Sequence, residues 1–162
     1  MMVSNVRGEF SGIRGTAEFD PVDLANAAVE VTIDATTLNT REPKRDADLR
    51  SANFFEVDKY PTITFRSKRV EAAGPGKLKI AGDLTIRGIT REVALDVEGP
   101  TPEVNMRGTA RIGAAATMKL NRKDFGMTWN RTLDSGGVVV GDEVTVTLDV
   151  EMIKRSTRPA AN

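Results

Sequence analysis

Neither cysteine nor histidine occurs in this chain of 162 residues. The first absence removes disulfides, thiolate nucleophiles and cysteine-ligated zinc or iron–sulfur sites. The second removes the commonest general base, the commonest transition-metal ligand and every serine–histidine triad. Any metal would have to be a hard one held by oxygen. Excess charge of one sign is missing as well. The 23 basic residues balance the 23 acidic ones, so no net field draws the chain to nucleic acid or an anionic membrane. No apolar run approaches the ~18 residues of a membrane span. Met1–Arg7 has neither the apolar stretch nor the small-residue cleavage site of a secretory signal. The expectation is a cytoplasmic location for the sequence as written, or a periplasmic or exported one if its start is trimmed. No cofactor, no nucleic-acid partner and no membrane span are expected.

What is present is ordinary in amount and regular in pattern. Hydrophobic residues make up 40% and charged residues 28%, which suits a folded domain with a real core. The dominant period is two, the signature of strands with one dry and one wet face. It is clearest over Glu143–Met152, where polar and apolar residues strictly alternate. Thr90–Glu98 repeats it with Val93, Leu95 and Val97 on the dry side. Lys77–Ile80 and Asp83–Arg87 continue one another across Ala81 and Gly82, and Gly82 in mid-strand predicts a bulge or bend. Val29–Asp34 and Thr62–Ser67 are further strands of this kind.

The segment Met106–Leu120 is rich in small residues (Gly108, Ala110, Gly113, Ala114, Ala115, Ala116), which fits a crowded interior, a bend or a ligand passing beside the backbone. Turn signals lie at Ala73–Gly76, Gly99–Pro102 and Asp134–Gly137, and Gly12–Gly15 also reads as a hairpin turn. Turn-to-turn spacing of roughly 8 to 12 residues is that of an all-β barrel or sandwich. One stretch departs from the period: Arg45–Ser51 reads as a short helix, acidic early and basic late.

Candidate reactive groups are few. Asp46 and Asp48 are too close in a helix to face each other, so Arg45, Asp46, Asp48 and Arg50 read as a solvated face with ion pairs to neighbouring strands. The alternative is Arg45 or Arg50 meeting a ligand headgroup. Asp83, Asp96, Glu98 and Glu143 fall on the polar phase of their strands and read as facing water. Tyr60, followed by Pro61, reads as an aromatic cap at a strand entrance. Phe10, Phe19, Phe54, Phe55, Phe65, Phe125 and Trp129 read as core. A barrel of about eight strands is either filled by its own side chains or hollow enough for one ligand, and periodicity does not separate the two.

Several segments together resemble the YceI family, the lipocalin-like polyisoprenoid-binding proteins of bacteria. They are Val6–Phe10 with Gly15–Asp20; Asp34–Thr40 leading into Arg45–Ser51 and Asn53–Phe65; Gly82–Thr90; and Asn121–Met127 with Val140–Val144. The resemblance runs in family order from about Val3 to Met152. It implies an all-β fold: an antiparallel eight-stranded lipocalin-like barrel with one short helix and a long hydrophobic channel. The expected division is a single barrel domain over residues 1–155 and a flexible tail over 156–162. Family members usually carry a further strand ahead of the position matching Val3. The expectation is therefore a barrel that is open or lacks its first strand, with an exposed edge that invites a homodimer or a domain swap.

The implied function is binding of an isoprenoid lipid, a polyprenyl chain or the tail of an isoprenoid quinone, by a carrier, store or sink that is not an enzyme. Carried onto the dry-phase positions, the channel lining becomes Ile63 and Phe65; Leu78, Ile80, Leu84 and Ile86; Val93 and Leu95; Ile112 and Met118; and Val144, Val146 and Leu148. Phe54, Phe55, Phe125, Met127 and Trp129 would close or shape the mouth. Two other readings stand beside this one. One is a filled barrel with a structural or partner-binding role in stress response and no lipid. The other is a hydrolase or isomerase working through carboxylates.

Overall fold

The computed structural model describes residues 6–20, 22–130 and 140–154. Its strands are β1 (Ile13–Glu18), β2 (Ala28–Asp34), β3 (Thr62–Ala72), β4 (Lys77–Ile86), β5 (Ile89–Glu98), β6 (Val104–Met106), β7 (Thr109–Asn121) and β8 (Glu143–Ile153), with one helix, α1 (Pro43–Arg50). All eight strands form one antiparallel sheet in the order β1-β2-β3-β4-β5-β7-β6, with β8 on β7. Ala115 pairs with both Glu98 and Asp149, and Arg111 with both Val104 and Ile153. β5 and β6 therefore share one edge of β7 and β8 takes the other.

The sheet is all-β and lipocalin-like in order, but hydrogen bonds do not close it. Among the described residues no pairing joins β1 to β8. The physical reason lies in the alternation: β1, β3, β5 and β8 run one way and β2, β4 and β7 the other. The two edge strands point in the same direction, so they cannot pair antiparallel with each other.

Local sequence explains the corners. Arg87–Gly88 and Arg107–Gly108 have φ of 53° and 72°, and of 52° and 79°. These are two-residue hairpins of the I′ kind between Ile86 and Ile89 and between Met106 and Thr109. Ala73–Lys77 turns as its glycines predict. The predicted bulge is real but lies on the partner strand, where register shifts between Ser67 and Arg69 opposite Gly82 and Ala81. A Cβ on Gly82 would sit 2.4 Å from the Arg66 carbonyl and 2.7 Å from Cζ of Phe65. That glycine lets β3 curl over β4.

Gly12–Gly15 is not a hairpin turn. Gly15 lies inside β1 opposite Val31, and a Cβ there would meet the Glu30 carbonyl at 2.5 Å. Close strand approach, not chain reversal, requires it. The turn expected at Asp134–Gly137, the pair Gly136–Gly137 and the tail 156–162 lie outside the described residues.

Side chains alternate across the sheet, and register fixes the inner face. Ile33, Ile63, Ile86 and Ile89 share it, as do Leu78 with Val97, and Val97 with Ala116 and Leu148. The buried core runs along β3 and β4 through Ile63, Phe65, Val70, Ile80, Leu84 and Ile86. Filling the space beside Gly82 tests the curl. Gly82→Ala is expected to cost about 1–3 kcal/mol, the usual penalty of overpacking, read as a lower urea midpoint at unchanged slope. An unchanged midpoint would mean that β3 gives way freely.

Candidate functional site: the inner face and its closed end

The chain between β2 and β3 folds over one end of the sheet. Pro43 occupies the first turn of α1, Glu42 accepts from the Lys44 amide at 3.3 Å, and Ser51 ends the helix. α1 is not a solvated face with ion pairs to strands, as its charges suggested. Asp46 is buried, accepting from the Thr40 amide at 2.8 Å and from the Thr40 hydroxyl. Arg45 donates through Nε and Nη2 to the Thr40 hydroxyl and carbonyl, each at 2.9 Å, and Arg50 donates to the Leu38 carbonyl at 2.5 Å. These bonds tie α1 to the loop 38–40.

A second hub lies at the same end. Arg122, 2% exposed, donates Nε to the Gly141 carbonyl at 2.8 Å and Nη1 to the carbonyls of Met127 and Trp129 at 2.6 and 2.8 Å. Its Nη2 reaches the Val140 carbonyl at 3.3 Å and lies 3.6 Å from an Asp142 oxygen. Arg87 donates to the carbonyls of Gly126 and Ala52 at 2.5 and 2.9 Å and lies 3.5 Å from Glu56. Under these clamps Phe54, Phe125 and Met127 are buried, and Phe54 packs on Trp129 with ring centres 5.6 Å apart. Phe55 meets Phe10 edge-on at 5.7 Å. Of the five residues expected at a mouth, Phe54, Phe125 and Met127 are buried, and Phe55 and Trp129 are half-buried against the core.

The predicted lining residues all fall on the inner face, in two populations. Ile63, Phe65, Ile80, Leu84 and Ile86 are buried. Leu78, Val93, Leu95, Ile112, Met118, Val146 and Leu148 are only half-buried, and Val144 is 39% exposed. The inner face is buried along β3–β4 and at Val97, Ala116 and Leu120, and only half-buried over much of the rest of β5, β7 and β8. This half-buried apolar surface is referred to below as the trough.

The small residues of β7 divide between the faces. Ala114 and Ala116 face the trough, while Gly113 and Ala115 floor an outer groove of about 600 Å³ with Glu98, Asp149 and Glu151 on its walls. Val97, Ala114, Val150 and Met152 belong to the trough by register and extend the predicted set.

Two polar positions escaped the sequence reading. Arg122 continues the inner phase of Met118 and Leu120 past the end of β7, which is the signal that could have marked it as buried. Arg91 continues the inner phase of Val97, Leu95 and Val93, opposite Leu84. Asp83, Asp96, Glu98 and Glu143 occupy the outer phase as read. Among the described residues no group of three or more Asp or Glu is placed to hold a metal ion, and no helix is long and apolar enough to cross a membrane.

The family model of the YceI-like domain matches residues 1–152. A UPF0312 protein of Staphylococcus aureus strain MSSA476, SAS2572, is 37% identical over 145 residues, covering 89% of this chain and 82% of that protein. Among solved structures, the Campylobacter jejuni YceI protein matches with a TM-score of 0.83 at 30% identity, over 96% of this chain and 89% of that one. A polyisoprenoid binding domain from Saccharophagus degradans shares the fold, with a TM-score of 0.58 at 15% identity over 89% and 83% of the two chains.

The closed end carries a pH signature. The Thr40 hydroxyl holds the Asp46 carboxyl below the usual carboxylate range; burial opposes it, and the Thr40 amide, Arg50 and Arg45 add to it. Asp34 is lowered likewise, first by the Thr36 hydroxyl. A carboxylate with a lower pKa folded than unfolded gives stability that is fully present above the unfolded value of about 3.9 and lost as pH falls through the folded one. The melting temperature is therefore expected to fall with acidification below about pH 4. Asp46→Asn should melt lower at neutral pH and respond less to that acidification. Parallel curves for the two proteins would remove Asp46 as a cause.

Proposed function

The chain belongs to the family of the YceI-like domain, and we propose that it binds an isoprenoid lipid along the inner face of its sheet, as a carrier, store or sink and not as an enzyme. The observation that carries this reading is the half-buried apolar trough along β5, β7 and β8. Side chains there are too exposed to be finished core and too apolar for a surface facing only water. The fold is shared with a polyisoprenoid binding domain, which supports the same ligand class.

Energetics favour a long chain over a small molecule. Each methylene withdrawn from water contributes roughly 0.8 kcal/mol. Lost motion on association and ordering of a flexible tail offset about 4–15 kcal/mol or more. A tail of roughly twenty carbons clears that cost, whether it belongs to a polyprenyl lipid or an isoprenoid quinone. The filled-barrel alternative accounts for β3 and β4 but leaves the exposure along β8 without a purpose. Among the described residues no strand pairs with the outer edges of β1 and β8, which supports pairing with a second copy.

The test is mass spectrometry of organic extracts from freshly purified protein, with native mass spectrometry of the intact chain. A stoichiometric isoprenoid is expected. Leu148→Trp, which places a large ring in the trough, should reduce the bound lipid at least about tenfold while the melting curve stays cooperative. Asp149→Asn, one residue along on the outer face, should not change it. Equal lipid in all three proteins, or none in any, would overturn the trough as the binding site.

A further inference from the structure

We infer that the far end of the sheet, at the β6–β7 hairpin, docks on an anionic lipid bilayer through its outer face. Along the other strands the outer positions are polar or small, and this end reverses the rule. On β8 the outer positions are Glu143, Thr145, Thr147, Asp149 and Glu151, and the next is Ile153. On β6 they are Val104 and Met106, whereas Asn105, opposite Ala110, takes the inner phase. Val104 pairs with Arg111 and Arg111 with Ile153, so the three apolar side chains share one face around Arg111. They are 55%, 56% and 59% exposed. The other exposed large hydrophobics among the described residues are on the inner phase, as Ile13 and Val144 are, or outside the strands, as Val6 and Val22 are.

Cations frame this patch. Arg107 is exposed at the hairpin tip, and exposed Lys154 follows Ile153. Arg111 lies 2.6 Å from Glu151, and Lys154 lies 3.4 Å from Glu103. The sequence beyond Lys154 adds Arg155 and Arg158 and no acidic residue. Counted along 103–111 and 151–162, five basic residues stand against two acidic ones, in a chain whose net charge is zero. Apolar side chains among arginine and lysine suit the boundary of an anionic bilayer, where the former enter the acyl region and the latter meet phosphates. Three side chains fall well short of the ~800 Å² per partner of a standard protein interface, so a second copy would find too little to hold. A bilayer needs no matching shape.

The patch also stands where a membrane would be useful. β7 runs from this end at Thr109 to Asn121, beside the Arg122 clamp, about 40 Å away at ~3.3 Å per residue. On the inner side of the same strands Ile112 and Met152 pair and are half-buried, so the apolar surface of the trough reaches the end that carries the patch. Docking here would set that surface against the bilayer.

The experiment is co-sedimentation of the full chain with vesicles of phosphatidylglycerol and phosphatidylcholine, or of phosphatidylcholine alone, for the wild type, Met106→Asp, Ile153→Asp and Thr145→Asp. These vesicles contain no isoprenoid, so the result does not depend on lipid binding in the trough. The wild type is expected to partition onto the anionic vesicles at least about tenfold more strongly than onto the neutral ones, and less so at high salt. Met106→Asp and Ile153→Asp, which alter exposed side chains, should each lower that partitioning about tenfold with the melting curve unchanged. Thr145→Asp, which adds the same charge to the outer face near the clamps, should leave it within about twofold. No partitioning by the wild type, equal partitioning onto both vesicles, or an equal loss in all three variants would overturn the proposal. It would also fall if Met106→Asp left partitioning unchanged and halved the mass in analytical ultracentrifugation, which would give the patch to a second copy of the chain.

Discussion

A guanidinium leaves water only if its N–H groups find oxygens, and Arg122 meets that demand mainly from backbone, with Asp142 beside it. Its donors reach the carbonyls of Met127, Trp129, Val140 and Gly141, which belong to the two limbs of the β7–β8 connection. One side chain thereby holds both limbs over the end of the sheet and seats Trp129 against Phe54. Arg87 uses the same device to join the β4–β5 hairpin to Gly126 and Ala52, and Arg50 to fix α1 on Leu38. Removing one such donor would leave buried carbonyls unpaired at about 1–3 kcal/mol each. The closed end is therefore a set of arginine–carbonyl clamps over an aromatic plug, with Asp46 and Thr40 doing the same for the remaining loop.

That closure makes the sheet asymmetric. Near the clamps, Phe125, Leu84, Ile86 and Ile63 are buried. On β8 the inner face is only half-buried or exposed, whereas β5 and β7 mix buried Val97, Ala116 and Leu120 with half-buried neighbours. Edge strands that run the same way cannot close the sheet by antiparallel pairing, and among the described residues this flank has no partner strand to complete its burial. A long apolar ligand and the missing burial fit one another, because both are matters of area and not of chemistry.

Most of the sheet was legible because its signal is local. Alternation over Glu143–Met152 and Thr90–Glu98 fixes which residues face inward without knowledge of partners, and register later placed every predicted lining residue on one face. What was not legible depended on contacts distant in sequence. Gly15 looks like a turn until Glu30 is placed beside it, and Asp46 looks solvated until Thr40 folds over it. Arg–Gly hairpins carry half the usual signal, since asparagine or aspartate normally precedes the glycine. The degree of filling was illegible in principle: alternation gives direction, whereas hollow or filled depends on how tightly the sheet curls.

The charged residues then divide by task. Carboxylates lie mainly on the outer phase, as Asp83 and Glu92 do with Lys68, where water screens them. On the inner side, Arg122 is consumed by structure and Arg91 is left half-free. In the reading proposed above, the apolar area of the inner face sets how tightly a long tail is held.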